Sequence, residues 1–391
     1  MNYFHPIVWQ LLVGMVFART ASFMTLPFLA IYMQGELGAD PILIGIAVGV
    51  APLASTFGGF IGGYLTDRFG RKKIILLSMA GWAVAFFGFA FAHTAWLFIV
   101  LNALNGLSRA FFEPSSQALM IDYTVPDKRR RLFSIRYTFI NLSAVVGPLL
   151  GVFIANLSTM TIPFIITGSL YVFCFVFFFV VLRNVEEIHT HKTTESPMQL
   201  AKVLLQDRIL LLMVLGSVFA SFVYSQTDST LSQLLNNTLE DGIILFSVLI
   251  AINAFTVMLL QLPLSILTEK MPVKSSITLG SMLTIIGMFF FYLADGWTMY
   301  IIAMIFISLA EIFIWPLIGV VIEMIAPDHQ KATYIGVMQF QSLGGFIGPI
   351  IGGWMLMHFA GEVYLVVTFG SIFMLVCYLL ALRKEQFHTK S

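Results

Sequence analysis

Twelve apolar runs, each about 20 to 27 residues long, succeed one another along this 391-residue chain and leave few architectures open. A run of that length crosses a hydrocarbon core roughly 30 Å thick at about 1.5 Å per residue. The runs fall at 7–32, 42–64, 74–93, 97–123, 132–155, 162–182, 209–235, 243–267, 275–294, 298–325, 332–357 and 363–382. Short connections join them, except for the polar stretch from Arg183 to Asp207, which divides the chain almost equally. The expected fold is an all-α membrane protein with twelve transmembrane helices in two pseudo-symmetric six-helix bundles. These are expected over 1–183 and 208–391, with a linker over 184–207. A soluble domain needs roughly 25% charged residues to cover its surface. This chain has 10%, against 59% hydrophobic residues and a mean hydropathy of +0.92.

Charge placement gives an orientation. Eighteen of the 21 Lys and Arg residues lie in one alternating set of loops or at the chain end: Arg68, Arg71 to Lys73, Lys128 to Arg131, Arg183, Lys192, Lys202, Arg208, Lys270, Lys274, Lys331, Arg383, Lys384 and Lys390. The opposite loops carry Glu36, Asp40, Glu240, Asp241, Asp295 and Glu362. The positive-inside rule then puts both termini in the cytoplasm, which requires an even number of spans. The N-terminus lacks a basic n-region and a small-residue cleavage site, so the first run is expected to stay as a helix of a cell-membrane protein. Cys174 and Cys377 both sit in apolar runs and imply no disulfide framework. No basic, aromatic-interleaved patch supports a nucleic-acid partner, and no metal site or cofactor is expected.

The two halves repeat each other. Pro114 in the fourth run matches Pro316 in the tenth; with a one-residue gap, Asp122 matches Glu323 and Pro126-Asp127 matches Pro327-Asp328. AVVGPLLG (144–151) then aligns with GFIGPIIG (345–352). Twofold repetition of six-helix units is one way in which transporters build a central site near the bilayer midplane.

Between the second and third runs stands GGYLTDRFGRKK (62–73). With Gly63, Asp67, Arg68, Gly70, Arg71 and Lys72 it resembles the signature loop of the major facilitator superfamily, position by position. The physics suits a gate: a small residue allows close helix approach, and Asp67 can accept from a helix N-terminus or an Arg. Asp122, at the end of the fourth run, is placed to pair with Arg71. The second half has only a degenerate version, Glu269-Lys270 with Lys274. Gly147-Pro148 in the fifth run and Gly348-Pro349 in the eleventh resemble the Gly-Pro motif of the superfamily's antiporters, where Pro leaves a kink that can serve as a hinge. Ordinary helix packing explains such a pattern equally simply.

The resemblance spans essentially the whole chain and is strongest to twelve-span drug:proton antiporters, including the lactococcal multidrug group. That group shares the spacing of Tyr137, Asn141, Leu142 and Ser143. Two departures stand out. An Arg common in the fourth run of these antiporters is replaced here by Asn102, ahead of Gly106, and an acidic residue before the shared Tyr is replaced by Arg136. Nothing resembles the ExxER motif of proton-coupled peptide importers.

Ionisable groups at membrane depth cost a few kcal/mol each on insertion scales, so each calls for a reason. Arg19 lies midway along the first run. Asn102, Asn105, Arg109 and Glu113 form one polar stripe on the fourth, where Arg109 and Glu113 can neutralise each other as an i,i+4 pair. Asp228 lies on the seventh run beside Tyr224 and Gln226. Two readings stay open: a fixed buried network, or a lining to a central cavity in which a carboxylate changes protonation. Glu311, on a tenth run without a basic residue, is the expected principal proton carrier, with Asp228 and Glu113 next. The expected substrate cavity comprises Arg19, Asn102, Asn105, Arg109, Arg136, Tyr137, Asn141, Tyr224, Gln226, Trp315 and Met338. Trp315 and Met338 supply aromatic and thioether surface that accepts varied shapes.

The expectation that follows is a monomeric secondary transporter, embedded in the lipid bilayer, that exchanges small hydrophobic or cationic compounds for protons by alternating access. The three intramembrane Arg residues, all in the first half, fit an anionic or zwitterionic substrate better, which keeps an uptake symporter as the alternative. A membrane-embedded enzyme is disfavoured by the lack of HExxH, GxSxG or paired-His clusters, and ATP hydrolysis by the lack of GxxxxGK[ST].

Overall fold

Lipid offers no partner for backbone N–H and C=O groups, so a chain built from apolar runs satisfies them within helices. The computed structural model describes residues 3–383 except 36, 39–40, 158–160, 184, 186–201, 203 and 360–361. The linker expected over 184–207 thus falls largely outside the described residues. Fourteen helices are labelled here: α1 (Pro6–Gly35), α2 (Pro41–Phe69), α3 (Arg71–Ala90), α4 (Ala95–Asp122), α5 (Arg129–Leu157), α6 (Ile162–Arg183) and α7 (Arg208–Ser225), then α8 (Leu231–Thr238), α9 (Gly242–Glu269), α10 (Val273–Leu293), α11 (Trp297–Ile325), α12 (Lys331–Val337), α13 (Ser342–Phe359) and α14 (Val363–Ala381). Eleven spans among the described residues are long and apolar enough to cross a membrane. The 29-residue α2 covers the second expected run.

Local chemistry sets the helix ends. Pro6 and Pro41 open α1 and α2, where a missing N–H costs nothing. Asp207 caps α7, its Oδ1 accepting from the N–H groups of Ile209 at 3.1 Å and Leu210 at 3.0 Å. Gly70, with φ of 96°, makes the turn from α2 to α3 in a backbone region that a side chain would strain.

Two expected runs are not continuous α-helices. The seventh is α7, a π turn over Gln226–Thr230, and α8. The eleventh is α12, a 3₁₀ turn over Met338–Gln341, and α13. Apolar periodicity cannot see such changes of pitch, because every residue remains in a helical backbone.

The chain forms two compact units. The first takes in Met1–Arg129, Phe139–Pro197 and Ala326–Gln339; the second takes in Arg130–Thr138, Met198–Ile325 and Phe340–Ser391. Each therefore holds a short stretch from the other side of the linker. In the first unit, a ring stack of Trp82, Phe86 and Tyr171 fixes α3 against α6, with Trp82 and Tyr171 centroids 5.0 Å apart. In the second, Phe291, Tyr300 and Tyr364 join α10, α11 and α14.

Glycines at four-residue spacing bring α13 onto α7 and the π turn within the second unit. A β-carbon on Gly344 would fall on the Val218 carbonyl and 2.7 Å from the Phe222 nitrogen, backbone atoms that cannot step aside. On Gly348 it would meet the Ser225 hydroxyl, and on Gly352 the Thr230 hydroxyl and Gln226 amide. Gly345 faces open space. Gly147 of α5 similarly abuts Phe23 and Thr20 of α1 in the first unit. Small residues thus serve close contact, as in other membrane helix pairs. We predict that Gly344→Val lowers stability by about 3 kcal/mol or abolishes folding, whereas Gly345→Ala leaves the melting temperature of the detergent-solubilised protein unchanged within a degree or two. Equal melting of both variants would contradict this packing.

Candidate functional site

Ser308, Glu311 and Trp315 lie three and four residues apart on α11, so they share one face. Glu311 is 5% exposed, and neutral donors from three other helices converge on it. Its Oε2 accepts from Tyr224 Oη of α7 at 3.1 Å and from Asn253 Nδ2 of α9 at 3.0 Å. Its Oε1 accepts from Tyr137 Oη of α5. The Asn253 amide also donates to Ser308 Oγ at 3.1 Å, which holds it in place. Trp315 meets Tyr224 edge-on, with centroids 6.2 Å apart. A cavity of about 20 Å³ flanks the carboxylate, bordered by Tyr224, Thr284, Met288 and Trp315. That is room for a single water.

Burying a carboxylate costs several kcal/mol. Hydrogen bonds to a charged group return roughly 1.5–3 kcal/mol each. Three donors on one carboxylate therefore offset much of that cost. They also shape its chemistry: protonation adds an O–H donor to one oxygen, which keeps a weaker acceptor capacity. The new O–H then needs an acceptor of its own. A tyrosine hydroxyl can reverse its role by rotating O–H, whereas the Asn253 NH₂ cannot accept.

The first unit holds a second polar cluster. Glu113, 3% exposed, forms an ion pair with Arg19 of α1 and accepts from Gln117 Nε2 at 3.2 Å. Two to three turns back along α4, a relay runs from Trp82 Nε1 to Asn105 Oδ1 at 2.9 Å, from Asn105 Nδ2 to Asn102 Oδ1 at 2.8 Å, and from Asn102 Nδ2 to the Ala47 carbonyl at 2.6 Å. The amides are thus oriented rather than adaptable. Beside them lies a cavity of about 190 Å³ bordered by Ser22, Ser55, Asn102, Asn105 and Arg109. Arg109 is exposed.

Other expected site residues are distributed as follows. Gln226 is sealed at 0% exposure, donating from Nε2 to the Gly348 carbonyl at 3.0 Å and accepting from Thr230 Oγ1 at 2.6 Å. It is a fastener between the π turn and α13 rather than a cavity wall, because both ends of its amide are engaged. Met338 is buried at the start of the 3₁₀ turn, and Arg136 is partly buried on α5. Asn141 Nδ2 is buried without an acceptor among the described residues. The side chains of Asp228, in the π turn, and Pro148 lie outside the described residues; Pro349 is exposed on α13.

The loop after α2 is tied down within the first unit. Asp67 Oδ2 accepts from the Thr333 N–H at 2.8 Å and its hydroxyl at 2.7 Å, and Oδ1 from the Ala332 N–H at 3.3 Å. The carboxylate thereby meets the positive end of α12. Gly63 lets the backbones approach: its β-carbon would lie 2.7 Å from Thr333 Cα. Arg71 Nε is 2.9 Å from Asp122 Oδ2, and Arg71 Nη2 is 3.9 Å from Asp67. Arg68 is exposed and donates to Tyr64 Oη at 2.7 Å. The second unit has a counterpart that the degenerate Glu269-Lys270 motif barely signals. Arg131 pairs with Glu269 at 2.7 Å, and Arg130 donates to the Thr268 and Met271 carbonyls, both at 2.6 Å. Here cations meet the negative end of α9. Asn253, Ser308, Trp82 and Thr333 escaped sequence reasoning; Asn253, an amide inside an apolar run, was the available clue.

Removing one partner of a buried ion pair costs more than removing both. Glu113→Leu is expected to destabilise the protein by about 3–5 kcal/mol. The double variant Arg19→Met/Glu113→Leu should melt within a few degrees of the parent in detergent. If the double variant melts as low as the single one, the pair is not the main contribution of Glu113.

Comparison with known proteins accords with this architecture. The Major Facilitator Superfamily model matches residues 11–258 and 228–391. The chain is 32% identical over 359 residues to the uncharacterized MFS-type transporter YqjV of Bacillus subtilis, covering 89% of this chain and 86% of that protein. It is 27% identical over 371 residues to a Na(+), Li(+), K(+)/H(+) antiporter of Planococcus maritimus, with 87% of each covered. The crystal structure of the human organic anion transporter MFSD10 shares the fold, with a TM-score of 0.73 over 96% of this chain and 98% of that one at 15% identity. With its repeated halves, signature loop and membrane-length helices, the chain belongs to the Major Facilitator Superfamily and is a multi-pass membrane transporter rather than an enzyme.

Proposed function

We propose that this transporter is a proton-coupled exporter of small hydrophobic or cationic compounds, working as a monomer in the cell membrane with both termini in the cytoplasm. The observation that carries the reading is the convergence of Tyr137, Tyr224 and Asn253 on Glu311. In the ionised state the carboxylate fastens α5, α7 and α9 to α11. Uptake of a proton adds a donor to one oxygen and weakens its acceptance, which rearranges this knot; a tyrosine hydroxyl such as that of Tyr137 can accept as well as donate. A cationic compound competes with the proton for the same negative charge. Binding one therefore favours release of the other, which is the thermodynamic core of an exchanger.

The donor set favours a proton over an alkali cation as the coupling ion. Hard cations take several oxygen ligands. The cavity beside Glu311 has room for one water, and beyond the Tyr224 and Thr284 hydroxyls its lining is mainly apolar, with Val223, Met288 and Ile307. The antiporter from Planococcus maritimus supports exchange as the mode of transport. Glu113 and Asp228 are secondary candidates for carrying charge, and the Asp67 and Glu269 contacts are proposed cytoplasmic gates that open and reform during the cycle.

A second reading has one observation in its favour. The exposed Arg109 guanidinium at the cavity with Ser22, Ser55, Asn102 and Asn105 suits a carboxylate-bearing solute. That solute would be taken up with protons rather than exchanged for them.

Inverted membrane vesicles with an acidic interior separate the two. Export predicts that fluorescent cationic dyes accumulate and that a protonophore abolishes it. Glu311→Gln should lower this proton-driven flux at least about tenfold, an expected loss of roughly 1.4 kcal/mol or more in the coupled step. Tyr137→Phe should reduce it less. Wild-type flux in Glu311→Gln would refute the assignment, and accumulation of acidic solutes under the opposite gradient would favour the second reading.

A further inference from the structure

A cavity of about 260 Å³ opens in the second unit, away from Glu311 and from the gate contacts. Its walls include Phe291 and Tyr292 at the end of α10, Tyr300 on α11, Tyr364 on α14, Thr238 at the end of α8, and Asp295 in the α10–α11 loop. The aromatic wall is preassembled: Phe291 stands 5.2 Å from Tyr364 and 6.1 Å from Tyr300, centroid to centroid. Tyr364 is further fixed by donating to the Gln226 carbonyl at 3.0 Å. Asp295 is exposed, and among the described residues the lining contains no Lys, Arg or His. The cavity is far larger than the roughly 10–15 Å³ that admits one water.

Four aromatic rings and one carboxylate select for a particular chemistry. Ring faces carry negative potential and attract weakly hydrated cations, most of all quaternary ammonium groups. The carboxylate adds a countercharge, and its place in a solvent-facing loop spares it the desolvation cost that a deep site would carry. An anion would meet Asp295 with no cation to offset it. A neutral apolar solute would gain nothing from the carboxylate. We propose that this cavity is a binding site for a small organic ammonium cation, distinct from the Glu311 centre. Its position among the acidic loops, opposite the basic ones, and the half-exposed Trp297 nearby, 40% accessible, put it at an interfacial level where Trp is enriched. The ammonium group can therefore come from a free solute or from a phosphatidylcholine headgroup.

Choline and its uncharged isostere 3,3-dimethyl-1-butanol test the proposal on the full-length protein in nanodiscs. In phosphatidylglycerol discs, choline should bind saturably and the alcohol at least about tenfold more weakly. Asp295→Asn should weaken choline about three- to fivefold, Asp295→Glu should restore most of it, and Tyr292→Leu should also weaken it measurably. Glu311→Gln should change the Asp295-dependent component of choline binding less than twofold, so failure of proton coupling and failure of this site are read separately. Adding phosphatidylcholine to the discs identifies the source: competition supports a headgroup, and unchanged binding supports a free solute. The proposal is overturned if choline does not bind saturably, if the alcohol binds equally well, or if Asp295→Asn binds choline like the parent.

Discussion

A carboxylate held out of water needs donors, and meeting that need at Glu311 ties four helices together. α5, α7 and α9 each contribute one side chain to a single acidic group on α11. These three donors carry no formal charge, and on the proposed reading the knot has two protonation states with different hydrogen-bond patterns. An Arg–Glu pair changes protonation less readily, because the cation favours the ionised carboxylate. The Arg19–Glu113 pair in the first unit is of that second kind. On the proposed reading, the principal switchable acid is Glu311, and Glu113, paired beside a polar cavity, is secondary.

The glycines and the helix-end charges show how a fold of this kind combines rigidity with motion. Gly344, Gly348 and Gly352 seat α13 against α7 and the π turn with no slack for a methyl group. Gly59, Gly63 and Gly336 do the same for α2 and α12. At the helix ends the contacts are instead electrostatic: Asp67 meets the start of α12, and Arg130 and Arg131 meet the end of α9. Close apolar packing has no substitute once lost. Charge–dipole contacts of this sort are individually modest, and water can replace them when they open. That contrast fits the proposed roles of glycine stripes as bearings and end contacts as gates.

Much of the architecture was legible in the sequence, for physical reasons. Runs of membrane length admit only helices, and the repeat of Pro114 in Pro316 and of Gly147-Pro148 in Gly348-Pro349 marks the twofold plan. Isolated charges such as Glu311 and Glu113 stand out because lipid makes them costly. Partnership was legible only in part. The Arg71–Asp122 pair was expected, and Arg19, 94 positions away, holds Glu113 as the buried-network reading had it. Asn253 looks like one polar residue in an apolar run until it is seen on Glu311. Gln226 reads as a cavity residue from its neighbours Tyr224 and Asp228, yet the π turn rotates it into the α13 contact. Changes of helical pitch and cross-helix pairing depend on tertiary packing, which periodicity does not encode.

Infrared difference spectroscopy between acidic and alkaline pH tests the central claim most directly, because a protonated buried carboxyl has its own C=O stretch. One such band should disappear on deprotonation, be absent in Glu311→Gln, and shift in Tyr137→Phe as the hydrogen bond is lost. A band that persists unchanged in Glu311→Gln would place the exchangeable proton elsewhere and contradict the account.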